Sequence, residues 1–198
     1  LGKRKIMEKR TFFSSDYHFQ HKNIIRYDNR PFSDLTEMEE QIVKRHNLIV
    51  GENDDFYYLG DLGLGYNKRE LSRMEELLWR LNGNKYFIKG NHDHKETIRI
   101  YEQVGTFLGG QKRIRLDGID VMLNHFPMRT WDKSHHGSYH LYGHHHGDIE
   151  RTPWGRSMDV GIMCNNYAPF SWEEVHNILS KREPMIIKGD HHNPKNGR

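Results

Sequence analysis

The sequence predicts an α/β fold in one domain. Short β-prone runs alternate along the chain with runs of helical periodicity. The 198 residues suit a single domain with a sizeable core, here expected over about residues 10–181 with a polar C-terminal tail. Polar blocks follow the predicted strands, at the carboxyl edge where open α/β sheets gather ligand-binding groups.

The elements follow in order. Thr11, Phe12 and Phe13 mark a first strand over residues 10–15. Thr36 and Glu39 form a capping-box pair opening a helix over residues 36–46, with Met38, Ile42 and Val43 as its apolar stripe. Residues 56–59 are an apolar run ending at Gly60-Asp61, a buried strand. Leu71, Met74, Leu77, Leu78 and Leu81 recur at helical spacing, so residues 67–81 form a helix that Gly83 stops. Its Met and aromatic residues are expected in the core. A strand over residues 85–89 leads to Gly90-Asn91-His92, and residues 95–104 form a helix ended by Gly105. Asp117-Gly118 joins strands 113–116 and 119–123 as a hairpin, and the second strand runs into Asn124-His125. Short strands at residues 140–142 and 157–161 follow. A last helix spans residues 171–181, capped by Ser171 and Glu174.

Thirty Lys and Arg against 27 Asp and Glu leave a net charge of +3, too mild to argue for nucleic-acid binding. The basic residues near the ends (Lys3, Arg4, Lys5, Lys9, Arg10; Lys188, Lys195, Arg198) read as solvated termini. Cys164 is the only cysteine, which excludes an internal disulfide and a thiolate zinc cluster, and it reads as a buried apolar residue. No apolar stretch is long enough for a membrane span, and no apolar signal core follows the basic N-terminus, so a cytoplasmic protein is expected.

Fifteen histidines are the unusual feature of the composition, and their placement carries the function. Asp16-Tyr17-His18, Gly60-Asp61, Gly90-Asn91-His92-Asp93, Asn124-His125 and Gly143-His144-His145-His146 supply imidazole, carboxylate and amide oxygen donors. Such donors suit zinc, manganese or iron. A carboxylate can bridge two cations, and ions only about 3.5–4 Å apart need an anion between them. Asp61 is the natural bridge. Asp16 and His18, two apart, can reach one ion together, and His144 and His146 share that spacing.

These five blocks, in this order, resemble the calcineurin-like metallophosphoesterases: Asp-x-His, Gly-Asp, Gly-Asn-His-Asp/Glu, a lone His, then Gly-His-x-His. Residues 12–32 (FFSSDYHFQHKNIIRYDNRPF) and 158–175 (MDVGIMCNNYAPFSWEEV) are similar to the opening and closing segments of small bacterial and phage members. The resemblance implies a four-layer αββα sandwich with a dinuclear metal site at the strand ends. It implies one ion on Asp16, His18, Asp61 and His146, and a second on Asp61, Asn91, His125 and His144. The ions would be Mn, Fe, Zn or Ni, with manganese serving in vitro. His92 is then a general acid beside the leaving group, not a ligand. The implied reaction is hydrolysis of a phosphate ester by a metal-bridging hydroxide, on a small phosphodiester or nucleotide-type substrate. A phosphomonoesterase, a nuclease on DNA or RNA ends and a non-catalytic scaffold are the competing readings, in that order. Leu64 stands where phosphoprotein phosphatases carry Asp, and their Arg is absent, which argues against that branch. Asp93 is a candidate support for His92.

Other polar residues take plainer readings. His145 faces away from the ligands. His135, His136 and His140 fall in a solvated loop, where they can line the substrate entrance. His21, Arg26 and Arg30 serve surface or capping roles. Gly189-Asp190-His191-His192 in the tail is incidental.

Overall fold

The computed structural model describes residues 9–149 and 154–185; the tail motif at Gly189–His192 and most of the basic terminal residues lie outside them. The elements run β1 (Thr11–Ser14), α1 (Ile24–Tyr27), α2 (Leu35–Ile49), β2 (Asp55–Tyr58), α3 (Lys68–Arg80), β3 (Asn84–Phe87), α4 (Lys95–Val104), β4 (Thr106–Phe107), β5 (Gln111–Leu116), β6 (Ile119–Asn124), β7 (Tyr139–Tyr142), β8 (Ser157–Asp159), β9 (Phe170–Ser171) and α5 (Trp172–Leu179). The protein is a mixed α/β fold with two sheets. One has the order β4-β3-β2-β1-β9 and the other β5-β6-β7-β8. In the first sheet β1 to β4 are parallel, and β9 closes the edge antiparallel to β1. In the second, β5 and β6 form the hairpin, and β7 and β8 add in parallel.

Alternation along β1 explains the layering. Phe12 points to a core shared with Phe56, Tyr58 and Phe87 and with the buried faces of α2, α3 and α4 (Met38, Ile42, Met74, Leu77, Leu78, Ile100, Tyr101). Phe13 points the other way, to Val121, Leu123, Tyr139, Leu141 and Met158 of the second sheet and Val175 and Leu179 of α5. Each fully buried large apolar side chain is worth about 1.5–3 kcal/mol. The first sheet is thus held on both faces.

Several local expectations are corrected. Asp34, not Thr36, caps α2: its carboxylate accepts the Glu37 amide at 2.9 Å, and the Glu37 carboxylate reaches back to Ser33. The cap lies two residues earlier than predicted, and the helix starts at Leu35, because Asp34 has the extended backbone a cap needs. Asn67 caps α3 the same way, and Ser171 with Glu174 forms the predicted capping box. Trp79 of α3 is 58% exposed, outside the core where its helix pattern placed it. His140 is fully buried in β7, not in a solvated loop, with Nδ1 donating to the Met122 carbonyl and Nε2 accepting the Met128 amide. Cys164 is only partly buried, against the inter-sheet core. Strands β4 and β9, two residues each, carry too little periodicity to be seen in sequence.

Candidate metal centre

The polar blocks meet at the carboxyl ends of β1, β2, β3, β6 and β7. Backbone hydrogen bonds stitch them: Asp16 N–H to the Gly60 carbonyl at 3.1 Å, His18 N–H to that of Asp61 at 3.2 Å, and Gly143 N–H to that of His125 at 2.9 Å. Contact between blocks leaves no room for a side chain at two glycines. A Cβ at Gly90 would lie 2.1 Å from Asp61 Oδ1, and one at Gly143 would lie 2.4 Å from Asp16 Oδ2.

The donor residues themselves are bent sharply. Asp16, His18, Asp61, His144 and His146 all have positive φ, between 50° and 73°. Left-handed backbone costs a non-glycine residue roughly 1–2 kcal/mol. Five such residues in one place are strain that the surrounding core and loop hydrogen bonds must hold.

Two groups of donors result. Ligand atoms of Asp16, His18 and His146 lie within 4.8 Å of one another, and so do those of Asp61, His125 and His144. Asp16, His18, Asp61 and His125 are buried. The groups are linked, because the His144 amide donates to Asp16 Oδ2 at 3.0 Å. His125 Nδ1 can only donate to the Leu59 carbonyl, 2.8 Å away. In the neutral ring Nε2 is then a lone pair, yet it faces Asn91 Oδ1 at 2.8 Å and Asp61 Oδ2 at 3.2 Å. Asn91 thereby joins the second group. In the first group His146 Nδ1 donates to Asp28 at 2.7 Å, and its Nε2 faces His18 Nε2 at 3.2 Å and Asp16 Oδ1 at 3.6 Å.

Acceptors converging this way fit a cation; a proton is the alternative occupant. The ionisation behaviour agrees. For His146, burial works to lower the pKa, but Asp16 and Asp28 more than offset it and raise the ring to about 10. Burial also opposes protonation of His125, and Asp61 with Asp16 outweighs it. Burial pushes the Asp61 carboxyl up, but His125 and the His92 amide leave it below the usual range. His18 and His144 are lowered, by burial first and then by neighbouring cationic groups. The oxygen and imidazole donors suit a borderline or hard divalent ion.

His92 belongs to neither group. Its amide donates to Asp61 Oδ1 at 2.8 Å, while its ring is 41% exposed with Nε2 4.0 Å from Asp61 Oδ2. Asp93 does not support it. That carboxylate is buried and accepts the amides of Gly90 (2.7 Å) and Asp61 (3.1 Å) and the Tyr101 hydroxyl (2.7 Å), so it locks the two loops together. Arg30 is not a surface residue either: it is buried, and it donates to the carbonyls of Asp16 at 3.0 Å and Tyr17 at 2.9 Å. His21 is partly buried, with Nδ1 3.3 Å from that of His18. His145 meets the ring of His144 edge to face, and His135 and His136 sit in a separate 3-10 turn. Sequence reading missed Asp28 and Asp159. Asp159 accepts the amides of Gly147 at 3.0 Å and Gly161 at 2.6 Å, anchoring the His144–His146 loop. Neither lies in a block of ligand spacing; the only signals were the places of Asp28 inside the segment 12–32 and of Asp159 inside the segment 158–175.

Fold and site together define an α/β protein with two linked groups of metal-type donors at its strand ends. The chain belongs to the same family as the uncharacterized protein MJ1445 of Methanocaldococcus jannaschii, with 35% identity over 179 residues, 87% of this chain and 93% of that protein. It is also similar to the Gene 66 protein of Mycobacterium phage L5, 27% identical over 181 residues, covering 77% of this chain and 86% of that one. Among solved structures, the protein of unknown function AQ665 from Aquifex aeolicus shares the fold, with a TM-score of 0.70 and 20% identity, covering 87% of this chain and all of that chain. No family model matches the chain.

Proposed function

We propose that this protein is a metal-dependent phosphoesterase of the calcineurin-like type, acting on a small phosphodiester or nucleotide-type substrate. The observation that carries the reading is the convergence of two linked acceptor groups, each with an imidazole Nε2 lone pair turned inward. Asp16, His18, Asp61 and His146 would hold one ion, and Asp61, Asn91, His125 and His144 the other. Bound ions supply positive charge for the phosphate oxygens and lower the pKa of the attacking water. In this reading the two packed sheets are the centre of an αββα sandwich, with α2, α3 and α4 on one outer face.

The chain's own residues do the rest. His92 is tied at its backbone to Asp61 and keeps its ring open to substrate, so it can protonate the departing oxygen. Asn91 contributes an uncharged oxygen, which limits repulsion of an anionic substrate. A cavity of about 450 Å³ opens beside Asn91, lined also by Lys89, Gln111, Asn124 and Phe126. Its size suits a small ester, and Lys89 adds positive charge at its wall.

The test is hydrolysis of an aryl phosphodiester by the purified protein with added Mn²⁺, beside a monoester, cyclic nucleotides and single-stranded DNA. Turnover of the diester that a chelator stops is expected. Preferred turnover of the monoester or the DNA would replace the substrate class, and inactivity with several metals and no bound metal would overturn the reading.

A further inference from the structure

Asp28 and Arg30 lie outside every ligand block, yet they connect the two ends of the first donor group. The Arg30 side chain is fully buried. Its Nη1 and Nη2 donate to the carbonyls of Tyr17 and Asp16, and its Nε and Nη2 donate to Asp28 Oδ2 at 3.2 and 3.1 Å. The same Asp28 oxygen accepts from His146 Nδ1 at 2.7 Å, across 118 residues of sequence. One guanidinium therefore holds the Asp16–His18 turn and, through Asp28, the ring of His146. Among the described residues the second group shows no equivalent: His125 is oriented by the neutral Leu59 carbonyl.

We propose that Asp28, held by Arg30, is the positioning residue of His146, and that it makes the Asp16/His18/His146 group the tighter of the two metal positions. A carboxylate on Nδ1–H fixes the tautomer that leaves Nε2 as a lone pair, and it raises the basicity of that nitrogen more than a carbonyl does. Each group holds one carboxylate, Asp16 in the first and Asp61 in the second, and Arg30 offsets the charge of Asp28, so the difference between them is one of orientation. The side with the firmer orientation fills first. This inference rests on the phosphoesterase reading only for the presence of two ions.

The experiment is Mn²⁺ titration of the full chain, read by the paramagnetic resonance of free Mn²⁺. Wild type is expected to show a tight and a weaker position. Asp28→Asn keeps the shape of the side chain; it should weaken the tight position by about 10–100-fold and leave the weaker one unchanged. Anomalous scattering from wild-type crystals given one equivalent of Mn²⁺ should place the ion at Asp16, His18 and His146. That measurement needs no variant, so it stands if Asp28→Asn fails to fold. Equal affinity at both positions, a first ion beside His125, or equal weakening of both positions by Asp28→Asn would overturn the proposal while leaving the two-ion site intact. Absence of any Mn²⁺ binding would overturn both.

Discussion

His125 Nε2 lies 2.8 Å from Asn91 Oδ1, although the two residues are 34 apart in sequence and end different sheets. With Nδ1 tied to the Leu59 carbonyl, two lone pairs point at each other across a part-buried gap. A cation between them removes the repulsion. Metal should therefore stabilise the fold. At a free concentration 100 times Kd the gain is about 2.7 kcal/mol for each position. For a chain of this size that corresponds to a rise in Tm of roughly 5–10 °C. Thermal unfolding with Mn²⁺ and with a chelator measures it, and identical curves would contradict the site.

Gly90 tests the packing of the loops. A methyl there would meet Asp61 Oδ1 at 2.1 Å and Asp61 N at 2.5 Å, both held by the surrounding network. Gly90→Ala should cost about 2–4 kcal/mol and reduce metal binding. Gly110→Ala, with nothing within 4 Å of the added carbon, should change stability by less than about 0.5 kcal/mol. Denaturant midpoints of the two variants give the comparison.

His92→Ala should separate chemistry from binding. The residue's link to Asp61 is through its backbone amide, which alanine retains. Metal content and stability should therefore hold, while kcat falls about 10²–10⁴-fold. Loss of metal in this variant would show that the ring is a ligand.

The pH dependence of stability should come partly from His46 and His140. Burial holds each at about 4, below the ordinary value of 6.5. The unfolded chain therefore protonates these rings first as pH falls. Their contribution is whole above about 6.5 and is lost progressively down to about 4, on the order of 3 kcal/mol per ring. Unfolding at pH 7.5 and at 4.5 measures the loss. His46→Gln, which keeps a donor for the Asn82 carbonyl, should be less stable at neutral pH but lose less on acidification.

The convergence of the candidate donors was legible because their types are rare together and their blocks follow strands. Each of the eight sits at the centre, with seven in or joined to the two donor groups and His92 beside Asp61. Arg30 and Asp93 were misread for the same reason: a charged residue near a motif has no periodicity to reveal its burial. Asp93 follows His92 directly, but the turn sends its carboxylate to the Gly90 and Asp61 amides. The Thr36 cap failed because Asp34 and Glu37 offer an equally good pattern two residues earlier, and only backbone conformation chooses between them.

The sequence by itself determined the local features: the strand and helix cores, the Asp117-Gly118 hairpin, and the polar blocks with their glycines. These depend on side-chain type and short-range geometry. Tertiary structure alone decided how the donors group, that Asp28 backs His146 while a carbonyl backs His125, and that Arg30 is buried beneath the first turn. Those outcomes depend on loops from separate strands being pressed together at the edge of a packed core, a contact between residues up to 128 positions apart.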